Sequence, residues 1–191
     1  MLLITVDTNQ MDSDRVSRLR EVTYVEHEIA CITVSSRERG TVENVVFSSL
    51  PETAVWGESR WDEAVWGPTL AEPFVIGESP LDSGVLGSEE SVEVFETALR
   101  IISGRSFPAL GLRENLTNGQ LRQLRDAMIF DAHVRERRDV LITDDAKGFV
   151  NGGRREVLEA LGRTRILTWS EYEALAGERR LEELLPPSNP D

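Results

Sequence analysis

A chain of 191 residues, 40% of them hydrophobic, can bury one sizeable core, and it holds no apolar run of the ~18 residues that a membrane span needs. A single cysteine excludes a disulfide framework and a cysteine-built zinc site, and two histidines, His27 and His133, argue against a histidine-rich metal centre. The net charge of −13 is uneven: Pro51 to Glu96 carries eleven of the 34 acids but one of the 21 bases, so that segment repels a polyanion while the nearly balanced remainder does not.

The opening MLLITVDTNQ lacks the basic start and long apolar stretch of a signal peptide, which sets the expectation of a cytoplasmic protein. Residues 2–6 read as a strand buried on both faces, ending at Asp7-Thr8-Asn9. A helix is predicted over 13–22, with Val16 and Leu19 on one face. A second buried strand follows over 29–34, and then Ser35-Ser36-Arg37-Glu38, a capping-box helix start. No glycine-rich loop follows the first strand, which disfavours dinucleotide binding, and Asp7-x-Asn9 lacks the second Asp of haloacid-dehalogenase-like phosphotransferases.

Between Ala54 and Gly87 lies a ladder of decapeptides. Gly57, Gly67, Gly77 and Gly87 recur every ten residues, each with a Val two positions before it. Each unit offers apolar anchors, a turn and a charge, and buries little alone, so the ladder must stack, pack on the body or dock on another chain. Trp56, Trp61 and Trp66 have the chemistry to stack on bases, but their acidic surroundings favour a local core or a protein interface. Downstream, an amphipathic helix is predicted over 90–103 and a long helix over 116–137, opening near Thr117-Asn118. Then come a strand over 139–143, a helix over 154–161, a strand over 165–168, a last helix from 170 and a proline-rich tail. Asn151-Gly152-Gly153 before Arg154 reads as a loop and helix cap, with phosphate binding by its amides the alternative.

Strands alternating with helices predict an α/β sandwich with a mostly parallel sheet, and sites in such sheets form at the carboxyl ends of the strands. The acids fall there: Asp7 after the first strand, Glu38 just past the second, Asp144 and Asp145 after the third. With Asp126 from the long helix, four carboxylates from distant parts of the chain, Asp7, Glu38, Asp126 and Asp145, can meet. Like charges in one pocket need a countercharge, and oxygen donors suit Mg²⁺ or Mn²⁺. Asp131, five residues from Asp126, is expected off that face and in solvent. His133 shares the face of Asp126 and is expected at the helix surface. The capping box alone also accounts for Glu38.

Arg125 to Phe149 is more specific. Asp126-Ala127 in a helix, Leu141-Ile142-Thr143-Asp144-Asp145 closing a strand, and Phe149 shortly after resemble the PIN domain family of metal-dependent ribonucleases, many of them toxins of toxin–antitoxin pairs. Asp7-Thr8-Asn9, Ser35 to Glu38, and Ile166-Leu167-Thr168-Trp169-Ser170-Glu171-Tyr172 match further parts, so the resemblance covers about 1–41 and 92–176. It implies a three-layer α/β/α sandwich with a sheet of four or five strands, in two parts (1–47 and 91–178) around a repeat insertion (48–90), with a tail over 179–191. It implies Mg²⁺- or Mn²⁺-dependent cleavage of RNA, with Asp7, Asp126 and Asp145 as metal ligands and Glu38 as an inner- or outer-shell acid. Thr8 and Thr143 become orienting hydroxyls, and Asp144 a substitute or assistant ligand. The chain exceeds a compact toxin-type PIN domain by the ladder, whose expected part is assembly, a homo-oligomer or a protein partner such as an antitoxin. The alternative is a PIN-like binding or scaffolding module with residual acids.

Overall fold

The computed structural model describes residues 1–7, 13–32, 54–56, 89–109, 112–113 and 116–185. In chain order these form β1 (Leu2–Val6), α1 (Ser13–Val22), β2 (His27–Ile32), β3 (Ala54–Trp56), α2 (Glu89–Ile102), α3 (Asn118–Arg135) and β4 (Val140–Ile142). A π-helical turn (Ala146–Val150), α4 (Arg154–Gly162), β5 (Arg165–Leu167), α5 (Trp169–Gly177) and a 3₁₀ turn (Leu181–Leu184) complete the chain. The predicted boundaries fall within about two residues of these, as is usual at element ends. Glu38, Thr8, Asn9 and nearly all of the decapeptide ladder lie outside the described residues.

The five strands form one α/β sheet in the order β3-β2-β1-β4-β5, with every neighbouring pair parallel. Ala54–Trp56, at the head of the ladder, supplies the edge strand, in register with Ala30 to Ile32 of β2. β1 is central, and the chain leaves it first towards β2 and later towards β4, so the order reverses between β1 and β4.

Strand alternation divides the apolar residues between two clusters. Leu2, Ile4, Val6, Val140, Ile142 and Leu167 join Val16 and Leu19 of α1 and Tyr172 of α5. Ala30, Leu141 and Ile166 join Phe95, Leu99 and Ile102 of α2, Phe130 of α3 and Leu158 of α4. Each fully buried Leu, Ile or Phe contributes about 1.5–3 kcal/mol. The spacing of Phe95, Ala98, Leu99 and Ile102 is the i, i+3, i+4, i+7 stripe that the sequence shows, and all four are buried. Among the described residues no helix is long and apolar enough to cross a membrane.

Helices α2 to α5 stop in an unusual way. Arg105, Arg137, Arg163 and Arg179, just beyond them, have φ of 69°, 51°, 50° and 61°. A left-handed non-glycine residue costs about 1–2 kcal/mol, and a cation at the negative end of a helix returns about 0.3–1 kcal/mol of it. Glycine is needed instead one residue earlier, at Gly162, where an added Cβ would lie 2.7 Å from Val134 Cγ2 and 2.9 Å from Phe130 Cζ. Gly162→Ala gains about 0.5–1 kcal/mol of helix propensity but overpacks the α3–α4 contact by about 1–3 kcal/mol. The expected result is a lower Tm in thermal unfolding; an unchanged or higher Tm would show that α4 can move off α3 freely.

Candidate functional site

Ligands of open parallel sheets bind outside the carboxyl ends of the strands where the order reverses, here between β1 and β4. Asp7 stands at that place, its N–H donating to Ile142 O at 3.0 Å, its side chain in a residue only 2% exposed. One strand over, the Thr143 hydroxyl donates to Asp7 Oδ2 at 2.8 Å and accepts from the Asp145 N–H at 3.0 Å. A fully buried threonine therefore fixes both the rotamer of Asp7 and the chain direction at Asp145, which is the orienting part expected of it.

Asp145 caps the turn that follows. Its Oδ1 accepts from the N–H groups of Lys147 and Gly148, at 3.0 and 3.1 Å. α3 delivers Asp126 to the same turn, 5% exposed. Gly148 measures the space between them: a Cβ there would sit 3.0 Å from Asp145 Oδ2 and 3.1 Å from Asp126 Oδ2. Two carboxylate oxygens thus border one small gap that stays open because residue 148 has no side chain. Such a gap attracts a cation, and its donors suit a hard divalent ion, which commonly takes one or two protein carboxylates and completes its shell with water and substrate oxygens. Among the described residues no group of three or more His, Cys, Asp and Glu side chains is close enough to hold a metal, so the arrangement is a pair with Asp7 behind it, joined through Thr143.

Asp144 turns away from its neighbour. Its Oδ1 accepts from the Trp169 N–H at 3.1 Å and its Oδ2 from Arg15 Nη1 at 3.3 Å, tying the end of β4 to α1 and to the start of α5. Arg15 also lies over the Trp169 ring. The ion pair is about one-third exposed and contributes no more than about 1 kcal/mol, so its effect is to aim Asp144. Glu38 lies outside the described residues.

No family model, curated protein or solved structure matches this chain. The functional reading therefore rests on its own residues.

Two expectations need correction. Asp131 and His133 are not at the surface: Asp131 is 2% and His133 0% exposed. Helical spacing alone gives α3 one wet face, but every residue from Asp126 to His133 is buried, because the sheet, α2 and α4 close around that half of the helix. Burial pushes the Asp131 carboxyl up to about 6, an effect that Arg135 opposes. Burial, and then Arg138, bring the His133 imidazole down to about 3. His133 is held at both ring nitrogens, Nδ1 by Thr5 Oγ1 at 2.9 Å and Nε2 by Thr164 Oγ1 at 2.7 Å. The Thr164 hydroxyl donates to Asp139 O, so it accepts from Nε2–H. That assigns the tautomer and leaves Nδ1 accepting from Thr5. His133 is a satisfied core residue that pins α3 to β1. Sequence reasoning missed Gly148; its one signal was a glycine three residues past a turn-capping Asp.

Proposed function

We propose that the chain is a Mg²⁺- or Mn²⁺-dependent endoribonuclease of PIN type, with a three-layer α/β/α body. The observation that carries the reading is the pair of Oδ2 atoms of Asp126 and Asp145 at the Gly148 gap, beside Asp7 at the point where the strand order reverses. Asp126 and Asp145 hold the ion, with Asp7 a third acid through Thr143. Glu38 belongs to the same set in the proposal, and Asp144 contributes by fixing the strand end. When bound, a divalent cation acidifies water and offsets the charge of the phosphodiester. The chain's own part is to hold two carboxylates at one gap, to hold Asp7 by a buried hydroxyl, and to keep Asp7 and Asp126 from bulk water. The part of the ladder that follows the edge strand Ala54–Trp56 serves assembly or a protein partner, an antitoxin in the toxin-type version of the reading, in the cytoplasm.

Asp7→Asn and Asp145→Asn keep the size of each side chain and remove its charge. Each is expected to lower Mn²⁺-dependent cleavage of single-stranded RNA at least about 100-fold, the scale of losing a preorganised charge at a reacting phosphate, and EDTA is expected to stop native cleavage. A second reading, a PIN-like binding module, is favoured by the lack of a three-ligand group among the described residues. Cleavage that survives EDTA, or that both Asn variants retain, removes the nuclease reading and leaves the binding module.

A further inference from the structure

Between the end of α2 and the start of α4 opens a cleft of 410 Å³ whose lining includes Arg100, Gly104, Arg105, Gly152, Gly153 and Arg154. The lining holds three arginines and no acid, in a chain of net charge −13. Some arginines elsewhere are neutralised: Arg113 pairs with Glu96, Arg138 with Glu28, and Arg155, next to Arg154, with Glu171. Among the described residues Arg100, Arg105 and Arg154 form no ion pair. Arg154 is bound to neutral acceptors alone, Nε to Ile101 O at 3.2 Å and Nη1 to Lys147 O. Its Nη2 would be 3.9 Å from a Cβ at Gly104. Arg100 likewise bonds Glu96 O at 3.2 Å and Thr97 Oγ1 at 3.4 Å. Arg105 is exposed, set by its N–H bond to Arg100 O at 2.9 Å. Glu156, in the first turn of α4, is not part of the lining.

Three guanidinium groups gathered without a carboxylate repel one another and are relieved by an anion, and forked donors match phosphate oxygens. The far wall supports the same ligand: no side chain caps α4, and added Cβ atoms at Gly152 and Gly153 would meet nothing within 4 Å, so a phosphate can approach the backbone closely. Through Lys147 O, Arg154 is bonded to the turn that contains Gly148 and is capped by Asp145. One hydrogen bond thus ties a wall of the cleft to the turn that carries Asp145 and Gly148.

We propose that this cleft holds a backbone phosphate of the RNA strand, beside the one at the carboxylate gap. The choice of RNA rests on the ribonuclease reading; the choice of phosphate rests on the arginines. Phosphate contacts set the position of a strand without reading its sequence, so the cleft fixes register and not base preference.

The test is binding of a labelled single-stranded RNA to the full chain in EDTA, followed by fluorescence anisotropy over a range of salt, with circular dichroism to confirm folding. Arg100→Ala and Arg105→Ala are each expected to weaken binding about 3- to 10-fold and to reduce the slope of log affinity against log salt by about 0.7, one lost phosphate contact on a single strand. Arg105→Gly, which suits the left-handed backbone, should weaken binding as much as Arg105→Ala and so separates charge from folding. Native affinity and salt slope in an Arg100→Ala, Arg105→Ala double variant overturn the proposal, as does native chain that does not bind RNA. Inorganic phosphate that displaces RNA at equal concentration overturns the polynucleotide assignment. Arginine-dependent RNA binding without metal-dependent cleavage supports the cleft and removes the nuclease reading; cleavage with arginine-independent binding does the reverse.

Discussion

In the proposed nuclease, replacing Gly148 by alanine is expected to remove most metal-dependent cleavage while leaving the fold intact. The added methyl would lie 3.0 Å from Asp145 Oδ2, 3.1 Å from Asp126 Oδ2 and 3.4 Å from Asp145 Cγ, so both carboxylates must give by a few tenths of an ångström. Asp145 has little room to do so, since its Oδ1 is held by the Lys147 and Gly148 amides. The methyl also occupies the space that an ion would use. Misplacing reacting groups by about 1 Å costs on the order of 100-fold in rate, and a filled gap costs at least that. Gly148 does not have a positive φ, so alanine brings no backbone strain. Its smaller unfolded-state entropy, about 0.4–1 kcal/mol in its favour, partly offsets the crowding, and Tm should move by only a few degrees. RNA binding in EDTA should stay native, because the arginine cleft is untouched. Native cleavage rates in the Gly148→Ala chain would show that the gap between Asp126 and Asp145 is not where the chemistry occurs.

Much of this arrangement could be read from the chain. The buried runs Leu2–Val6 and Val140–Ile142 and the helical stripe of α2 are carried by apolar spacing, a strong local signal, and the acids after each strand follow from sheet geometry. The Thr143 hydroxyl meets the Asp7 carboxylate and the Asp145 amide, and Asp126 and Asp145 both reach Gly148. The separation of Asp144 from Asp145 follows from strand alternation, but which of them would be tied to Arg15 depends on how α1 packs, and no local pattern encodes that. The stops of α2 to α5 were placed within about two residues, although Arg rather than Gly takes the left-handed position after α3, α4 and α5. The edge strand Ala54–Trp56 sits within a repeat whose period suggested a separate unit. The misreading of Asp131 and His133 has one cause. Polar residues on several faces of α3 imply a wet face, whereas its second half is enclosed: Asp131 is met by Arg135 one turn on, and His133 by Thr5 and Thr164 far along the chain.

That enclosure gives an unusual dependence of stability on pH. His133 falls to about 3 in the folded chain from an ordinary 6.5, so between these values the unfolded state binds one more proton and stability is lost as pH falls. Asp131 rises to about 6 from 3.8, so between these values the folded state binds one more proton and stability is lost as pH rises. The two slopes, about 1.36 kcal/mol per pH unit each, oppose one another between pH 4 and 6. Asp131→Asn deletes one of them. Relative to native chain, the variant should gain about 2–3 kcal/mol from pH 4 to pH 6, because it escapes the cost of ionising a buried carboxyl. The opposing effect of Arg135 is already contained in that folded-state value of about 6. His133→Gln is expected to do the opposite: relative to native it loses ground as pH rises from 4 to 6, on top of a fixed loss from the broken bonds to Thr5 and Thr164. Urea unfolding of the three chains at pH 4, 5, 6 and 7 checks both signs in one experiment. If the Asn variant runs parallel to native across that range, Asp131 is already ionised in the folded chain below pH 4, and its pairing with Arg135 outweighs its burial.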